Sequence, residues 1–203
     1  MIDRQEGRTV NLPNKLTLLR IILVPFFVAA LLIYSIPYRF LIALIIFAAA
    51  SVTDLLDGKI ARKYNMVTDF GKFADPLADK ILVISAFACF IELDVINAVF
   101  IILVLFREFT VTSIRLVAVE HGKVVAANMW GKAKTVSQMV AIIVVLLNGF
   151  ILDAFATSAE KAASMNYAVS IVNQSLLWLL AVLTVISGVI YIKDNFEFIK
   201  EAK

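Results

Sequence analysis

Long apolar runs separated by short polar segments dominate the chain. They cover residues 16–34, 40–61, 81–93, 95–119, 136–152 and 167–192. A helix needs about 20 apolar residues to cross a bilayer, and the third run reaches that length only if its helix begins near Asp75. The pattern predicts an all-α polytopic membrane protein with six transmembrane helices, forming a single domain over residues 1–203.

Three polar segments complete this prediction. Pro13 stands in a polar opening, which indicates a short interfacial helix before the first span. Residues 153–166 are small and polar, and we expect an external loop there. Residues 193–203 are charged, and we expect a solvated helix end.

Composition supports the membrane assignment and excludes several kinds of site. Hydrophobic residues make up 62% of the chain and charged residues 17%, whereas a soluble domain has about half apolar and a quarter charged residues. The chain has a single cysteine, Cys89, within an apolar run, and a single histidine, His121. A zinc site or a histidine-based catalytic triad therefore lacks the necessary side chains.

The basic residues indicate an orientation. If the N-terminus is cytoplasmic and six spans alternate, only Arg39 and Lys161 of the 19 lysines and arginines lie on the outer side. The positive-inside rule then places both termini on the cytoplasmic side of the cell membrane. The net charge of +3 reflects this basic inner face, which suits anionic lipid headgroups and phosphates and does not indicate nucleic acid.

Four aspartates stand where membrane helices rarely carry charge. Asp54 and Asp57 are three residues apart, and Asp75 and Asp79 are four apart, so each pair shares one helix face. The connection between the pairs is short and basic, which predicts antiparallel neighbouring helices with converging carboxylates. Any one of these aspartates alone could simply face water. Four placed deep in the membrane would cost roughly 10 kcal/mol, unless they lie near the interface or surround cations.

Bound cations resolve that cost. Carboxylates without nearby cysteine or histidine form a hard oxygen site for Mg²⁺, Mn²⁺ or Ca²⁺, and two divalent ions would balance four negative charges. Two metals also suit in-line phosphoryl displacement. Arg62 is placed to hold a diphosphate, or it serves as an anchor at the inner face. Gly58 and Gly71 leave room for a ligand, or they allow close helix packing.

From Asp54 to Asp79 the sequence reads D-x2-D-G-x2-A-R-x8-G-x3-D-x3-D. This pattern resembles the signature of the CDP-alcohol phosphatidyltransferase family. The resemblance implies transfer of a phosphatidyl group from CDP-diacylglycerol to an alcohol, with release of CMP. It also implies a homodimer with a cavity open to the cytoplasmic leaflet.

The resemblance implies a role for each matched position. The metal ligands, for Mg²⁺ or Mn²⁺ and two ions per site, would be Asp54, Asp57, Asp75 and Asp79. Asp79 would also be the catalytic base that acts on the acceptor hydroxyl. The CDP moiety would be bound by Asp57, Gly58, Ala61, Arg62 and Gly71.

Four further cations suggest which alcohol accepts the group. Arg107 and Arg115 are about two turns apart in the fourth span, and Lys132 and Lys134 begin the fifth. Together they suit a dianionic phosphate, although each alone could be an inner-face anchor, and Arg107 with Glu108 could form a structural pair. Residues 11–20 and 107–109 also resemble the glycerol-3-phosphate branch of the family, whose members make phosphatidylglycerol phosphate.

Other interpretations stay open. Within the family, the acceptor could be inositol phosphate, serine or phosphatidylglycerol. In a different class, a cation transporter could use the same carboxylates, but transporter sites usually lie near the midplane on broken helices. A purely structural membrane protein gains nothing from four converging aspartates.

Overall fold

The computed structural model describes residues 12–64, 69–120, 129–156 and 158–196, and these residues form α-helices and no β-strand. The helices are α1 (Leu12–Leu32), α2 (Arg39–Tyr64), α3 (Asp69–Glu92), α4 (Ala98–Glu120), α5 (Met129–Phe155) and α6 (Ala159–Asp194). The side chains of residues 55–76 and of Asp79 lie outside the description. The all-α prediction is confirmed for the described residues.

Three of the described helices are long and apolar enough to cross a membrane, over Asn14–Leu32, Met129–Phe155 and Glu160–Asp194. Large apolar side chains stay exposed on these and other helices, as Ile45 and Phe106 show. Lipid covers such surfaces in a membrane protein. The chain is therefore a membrane protein, whereas the other three predicted spans are not established by length and composition.

Helix boundaries differ from the predictions in two places. The helix α3 begins at Asp69, earlier than Asp75. The external loop expected at residues 153–166 is wrong, because α5 continues to Phe155 and α6 begins at Ala159. Alanine, glutamate and lysine at the start of α6 are strong helix formers, and Ser158 caps it by accepting a hydrogen bond from the Lys161 N–H at 3.4 Å.

The two ends of the described chain also bear on the predictions. The helix α1 starts at Leu12 without a break before the first span, and Pro13 falls in its first turn, where a missing N–H costs nothing. The polar opening from Leu12 onward is thus the first turn of α1 and not a separate interfacial helix, while residues 1–11 lie outside the described residues. At the other end α6 stops at Asp194, and residues 197–203 lie outside them too.

The chain divides into two compact units, and the first ends at Ser85. In this unit α1 packs against α2. The rings of Phe27 and Phe47 lie 6.0 Å apart between their centroids, and buried alanines such as Ala43 and Ala50 let the two helices approach closely. Arg39, at the start of α2, covers the ring of Tyr34 at 4.3 Å.

In the second unit, which begins at Ala86, α6 packs against both α4 and α5. The core is apolar and contains Ala141, Ile142, Val145, Leu146, Leu177 and Leu180. A polar contact joins α5 and α6 within it, in which Asn148 Nδ2 donates to Asn173 Oδ1 at 2.7 Å. A hydrogen bond between two amides inside an apolar helix pair fixes the register of α5 on α6.

Candidate functional site

The signature aspartates lie on two helices of which the structure describes the backbone. Asp54 and Asp57 belong to α2, and Asp75 and Asp79 belong to α3. The side chain of Asp54 is described, and those of the other three lie outside the description. Among the described side chains no cluster of three acidic, histidine or cysteine residues occurs. The convergence of the four carboxylates therefore stays a prediction, as do the roles of Gly58, Ala61, Arg62 and Gly71.

Asp54 is held by an arginine from the neighbouring helix. Arg20 on α1 is 1% exposed, and its Nη1 lies 2.7 Å from Asp54 Oδ1. This is a charge–charge contact and not a well-aligned hydrogen bond. Arg20 Nε donates to the Ala50 carbonyl oxygen at 3.3 Å. The Asp54 side chain stays 35% exposed, so it keeps access to a ligand while its orientation is fixed.

From the sequence, Arg20 was one of the inner-face basic residues and the last residue of the segment 11–20 that resembles the glycerol-3-phosphate branch, but no partner was predicted for it. A signal was present, because an arginine inside an apolar span indicates a functional or paired role. Asn14 and Thr17 are buried on the same face of α1 as Arg20. The polar face of α1 thus adjoins the helix that carries the first aspartate pair.

Of the four predicted metal ligands, the structure describes the side chain of Asp54. It is a carboxylate, the type of ligand that Mg²⁺ and Mn²⁺ prefer, and it is oriented by the Arg20 cation. A carboxylate that binds metal is commonly oriented in this way by a neighbouring side chain.

A second cluster of charged side chains lies in the second unit, between α4 and α5. Glu108 Oε1 lies 3.1 Å from Arg107 Nη1, and it also accepts a hydrogen bond from Lys134 Nζ. All three side chains are largely buried. We call Arg107, Glu108 and Lys134 the charged triad.

Two hydroxyls of α6 hold the arginines of α4. Arg107 Nε donates to Ser187 Oγ at 3.1 Å, and Arg115 Nε donates to Tyr191 OH at 3.2 Å. Ser187 and Tyr191 are one helical turn apart and share a face. In both arginines the Nε atom donates to a hydroxyl of α6.

Gly188 allows this close approach of α4 to α6. A Cβ atom there would lie 3.1 Å from Arg107 Cγ, which is tighter than ordinary van der Waals contact. The missing side chain of Gly188 therefore leaves room for the stem of Arg107. Sequence reasoning missed Ser187, Gly188 and Tyr191, although polar residues at helical spacing inside an apolar span were a usable signal.

The four predicted phosphate-binding cations thus have different surroundings in the structure. Arg107 and Lys134 meet through Glu108, and Arg115 is held by Tyr191 on the same helix that holds Arg107. The Arg107–Glu108 pair expected as the structural alternative is present as well. Lys132 is exposed, and its side chain makes no hydrogen bond or ion pair with another described residue.

Comparison with known proteins decides the family. The sequence model described as CDP-alcohol phosphatidyltransferase matches residues 10–186 of the chain. The chain belongs to the CDP-alcohol phosphatidyltransferase family. The match takes in the whole signature from Asp54 to Asp79 and the charged triad, and it ends one residue before Ser187.

Several relatives carry a more specific name. A CDP-diacylglycerol–glycerol-3-phosphate 3-phosphatidyltransferase of Bacillus subtilis (strain 168) is 40% identical over 201 residues, which cover 94% of this chain and 97% of the relative. A protein of the same name from Rickettsia felis is 37% identical over 183 residues, covering 90% and 94%. A probable phosphatidylglycerophosphate synthase of Mycobacterium tuberculosis (strain H37Rv) is 42% identical over 139 residues, covering 68% and 66%.

Proposed function

We propose that this CDP-alcohol phosphatidyltransferase transfers the phosphatidyl group of CDP-diacylglycerol to sn-glycerol 3-phosphate, which yields phosphatidylglycerol phosphate and CMP. The names of its relatives support this acceptor. The observation that supports it is the buried charged triad, together with Arg115 of α4, whose Nε donates to Tyr191 of α6.

The charge of this cluster matches the acceptor. Arg107, Arg115 and Lys134 are positive, and the Glu108 carboxylate contacts Arg107 and Lys134. A net excess of two positive charges remains, which suits a phosphate dianion. Serine lacks this phosphate and would leave the cations uncompensated.

Arginine binds phosphate oxygens with its terminal amino groups, and the hydrogen bonds to α6 occupy only the Nε edge. Lys132 makes no described contact with this cluster, so the proposal rests on the other three cations.

The donor half of the reaction is assigned to the signature. Asp54, Asp57, Asp75 and Asp79 would hold two Mg²⁺ or Mn²⁺ ions per active site. When bound, such ions offset the charge of the diphosphate and of the transferred phosphoryl group. The CDP moiety is bound by Asp57, Gly58, Ala61, Arg62 and Gly71, and the Arg62 guanidinium holds the diphosphate.

Asp79 acts as the general base. It takes the proton from the acceptor hydroxyl as the hydroxyl oxygen attacks the phosphorus that bears diacylglycerol. The bond from that phosphorus to the CMP oxygen breaks, and CMP leaves with the electron pair. Holding both reactants in line supplies much of the rate, because phosphoryl transfer depends mainly on positioning and charge stabilisation.

The whole chain is proposed to form one catalytic domain with six spans in the cell membrane. Both termini and the active site would lie on the cytoplasmic side, because only Arg39 and Lys161 of the 19 basic residues would then lie outside. The active form would be a homodimer, in keeping with the family resemblance, and no nucleic acid takes part.

An acceptor panel tests the proposal. Purified enzyme is supplied with CDP-diacylglycerol and Mg²⁺, and CMP release is measured with glycerol 3-phosphate, inositol phosphate, serine and phosphatidylglycerol. We expect CMP release and a phosphatidylglycerol phosphate product with glycerol 3-phosphate. Turnover with another alcohol alone would overturn the acceptor, and no turnover with any alcohol would overturn the enzyme assignment in favour of cation transport.

A further inference from the structure

Gln138 on α5 is a buried amide without a partner. The residue is 4% exposed, and its Nε2 makes no hydrogen bond in the described structure. Buried side-chain donors almost always make a hydrogen bond, because a donor without an acceptor keeps the full free-energy penalty of its desolvation. An unsatisfied buried donor therefore indicates a ligand that supplies the missing acceptor.

The position of Gln138 indicates which ligand that is. It lies one helical turn beyond Lys134 on the same buried face of α5, and the face continues with apolar residues from Ala141 onward. Residues four apart on a helix are neighbours, about 5–6 Å between Cβ atoms. Helical side chains lean toward the N-terminus, so Gln138 leans toward the turn that carries Lys134 and not toward the apolar part of the helix.

We propose that Gln138 is a further acceptor-binding residue, whose Nε2 donates a hydrogen bond to a phosphate oxygen of the acceptor substrate. This inference rests on the proposed function of the charged triad. A phosphate oxygen only accepts hydrogen bonds, which matches the unmet donor. The cations attract the phosphate electrostatically. The neutral amide adds a directional hydrogen bond that orients the phosphate without adding charge.

A matched pair of substitutions separates binding from folding. Gln138→Met removes the unpaired amide and keeps a flexible side chain of similar length. Gln174→Met is the control, because Gln174 Nε2 donates to the Val95 carbonyl oxygen. Thermal unfolding and the KM values of both substrates are measured for each variant in detergent or lipid.

We expect Gln138→Met to raise Tm, because a buried unsatisfied donor is lost. We also expect it to raise the KM of glycerol 3-phosphate about tenfold, because one hydrogen bond to a charged group is lost. The KM of CDP-diacylglycerol should be unchanged. Gln174→Met should lower Tm and leave both KM values unchanged. A merely structural amide would not give a more stable protein that binds its acceptor less well.

Other results overturn the inference. A lower Tm with unchanged KM in Gln138→Met would mean that the amide serves the fold, and a rise in both KM values would mean that it does not recognise the acceptor. The rise in Tm caused by inorganic phosphate is a readout independent of turnover, and it should be smaller in Gln138→Met than in wild type. If wild type does not use glycerol 3-phosphate, the proposed function fails, and this phosphate shift alone then decides the role of Gln138.

Discussion

Arg20 of α1 and Asp54 of α2 form an ion pair in which Nη1 and Oδ1 are 2.7 Å apart. The arginine is buried, and the carboxylate is partly exposed. Because Arg20 also donates to the Ala50 carbonyl oxygen, its position is fixed from two points of α2. The first signature aspartate is therefore oriented by a residue outside the signature.

Replacing Arg20 by alanine should weaken metal dependence. Residues that orient metal ligands typically change metal affinity about 10- to 100-fold when they are removed, so the Mg²⁺ concentration for half-maximal transfer should rise by that factor. Arg20→Lys should lie between, because an ammonium cannot reproduce both contacts of the guanidinium. The matched control is Arg39→Ala, because Arg39 lies at the other end of α2 and its side chain covers the ring of Tyr34, which precedes that helix. Unchanged Mg²⁺ dependence in Arg20→Ala would contradict this role.

Glu108 should stabilise the folded protein as well as form part of the proposed pocket. Glu108→Ala leaves Arg107 and Lys134 without their shared carboxylate in a largely buried place. Breaking a buried ion pair costs about 3–5 kcal/mol, which should appear as a large fall in Tm. Glu160→Ala, at an exposed position in the first turn of α6, is the control and should change Tm little. Equal Tm values for the two variants would show that the triad is not coupled.

Tyr191 should act on the acceptor through Arg115. Tyr191→Phe removes the oxygen that accepts from Arg115 Nε but keeps the ring, which lies 5.6 Å from the guanidinium carbon. We expect the KM of glycerol 3-phosphate to rise about threefold, as for the loss of one ordinary hydrogen bond, with kcat nearly unchanged. Arg115→Ala should raise this KM further.

Tyr167→Phe provides the matched control, because Tyr167 is exposed on the same helix. Its acceptor KM should equal that of wild type. A Tyr191→Phe enzyme with wild-type KM would mean that the hydroxyl does not position Arg115 for binding.

The proposed orientation is testable by labelling. In a Cys89→Ala background the chain has no cysteine, so single cysteines at the exposed positions Lys15 and Lys161 can be labelled selectively. An impermeant thiol reagent added to intact cells should label Lys161→Cys and not Lys15→Cys. Labelling of both only after lysis, or the reverse pattern, would contradict cytoplasmic termini.

The sequence sufficed for the class of protein and for the family, because both depend on local information. Hydrophobic runs reveal membrane helices, and the signature from Asp54 to Asp79 is contiguous in the chain. The loop expected at residues 153–166 was wrong because polarity was taken as a loop signal, while its alanine, glutamate and lysine residues favour helix.

Contacts between distant residues were not predictable in the same way. Arg20 pairs with Asp54, and Arg107 with Ser187, across large separations in the chain. Periodicity shows that a side chain shares a helix face, but not which helix that face meets. The unpaired amide of Gln138 is likewise visible only once α5 is packed.

The most direct test of the central claim follows labelled glycerol 3-phosphate into lipid, with CMP release measured in the same sample. The assay compares purified, folded wild type with Asp79→Asn and with the control Asp94→Asn, each with Mg²⁺. Asp94 is a suitable control because it is a turn residue with φ of 56°, a conformation that asparagine also tolerates. We predict equal amounts of labelled phosphatidylglycerol phosphate and CMP from wild type and Asp94→Asn, and a rate about 10²- to 10⁴-fold lower for Asp79→Asn, as for the loss of a general base. A wild-type rate in Asp79→Asn, or no label in lipid with the wild-type enzyme, would contradict the account.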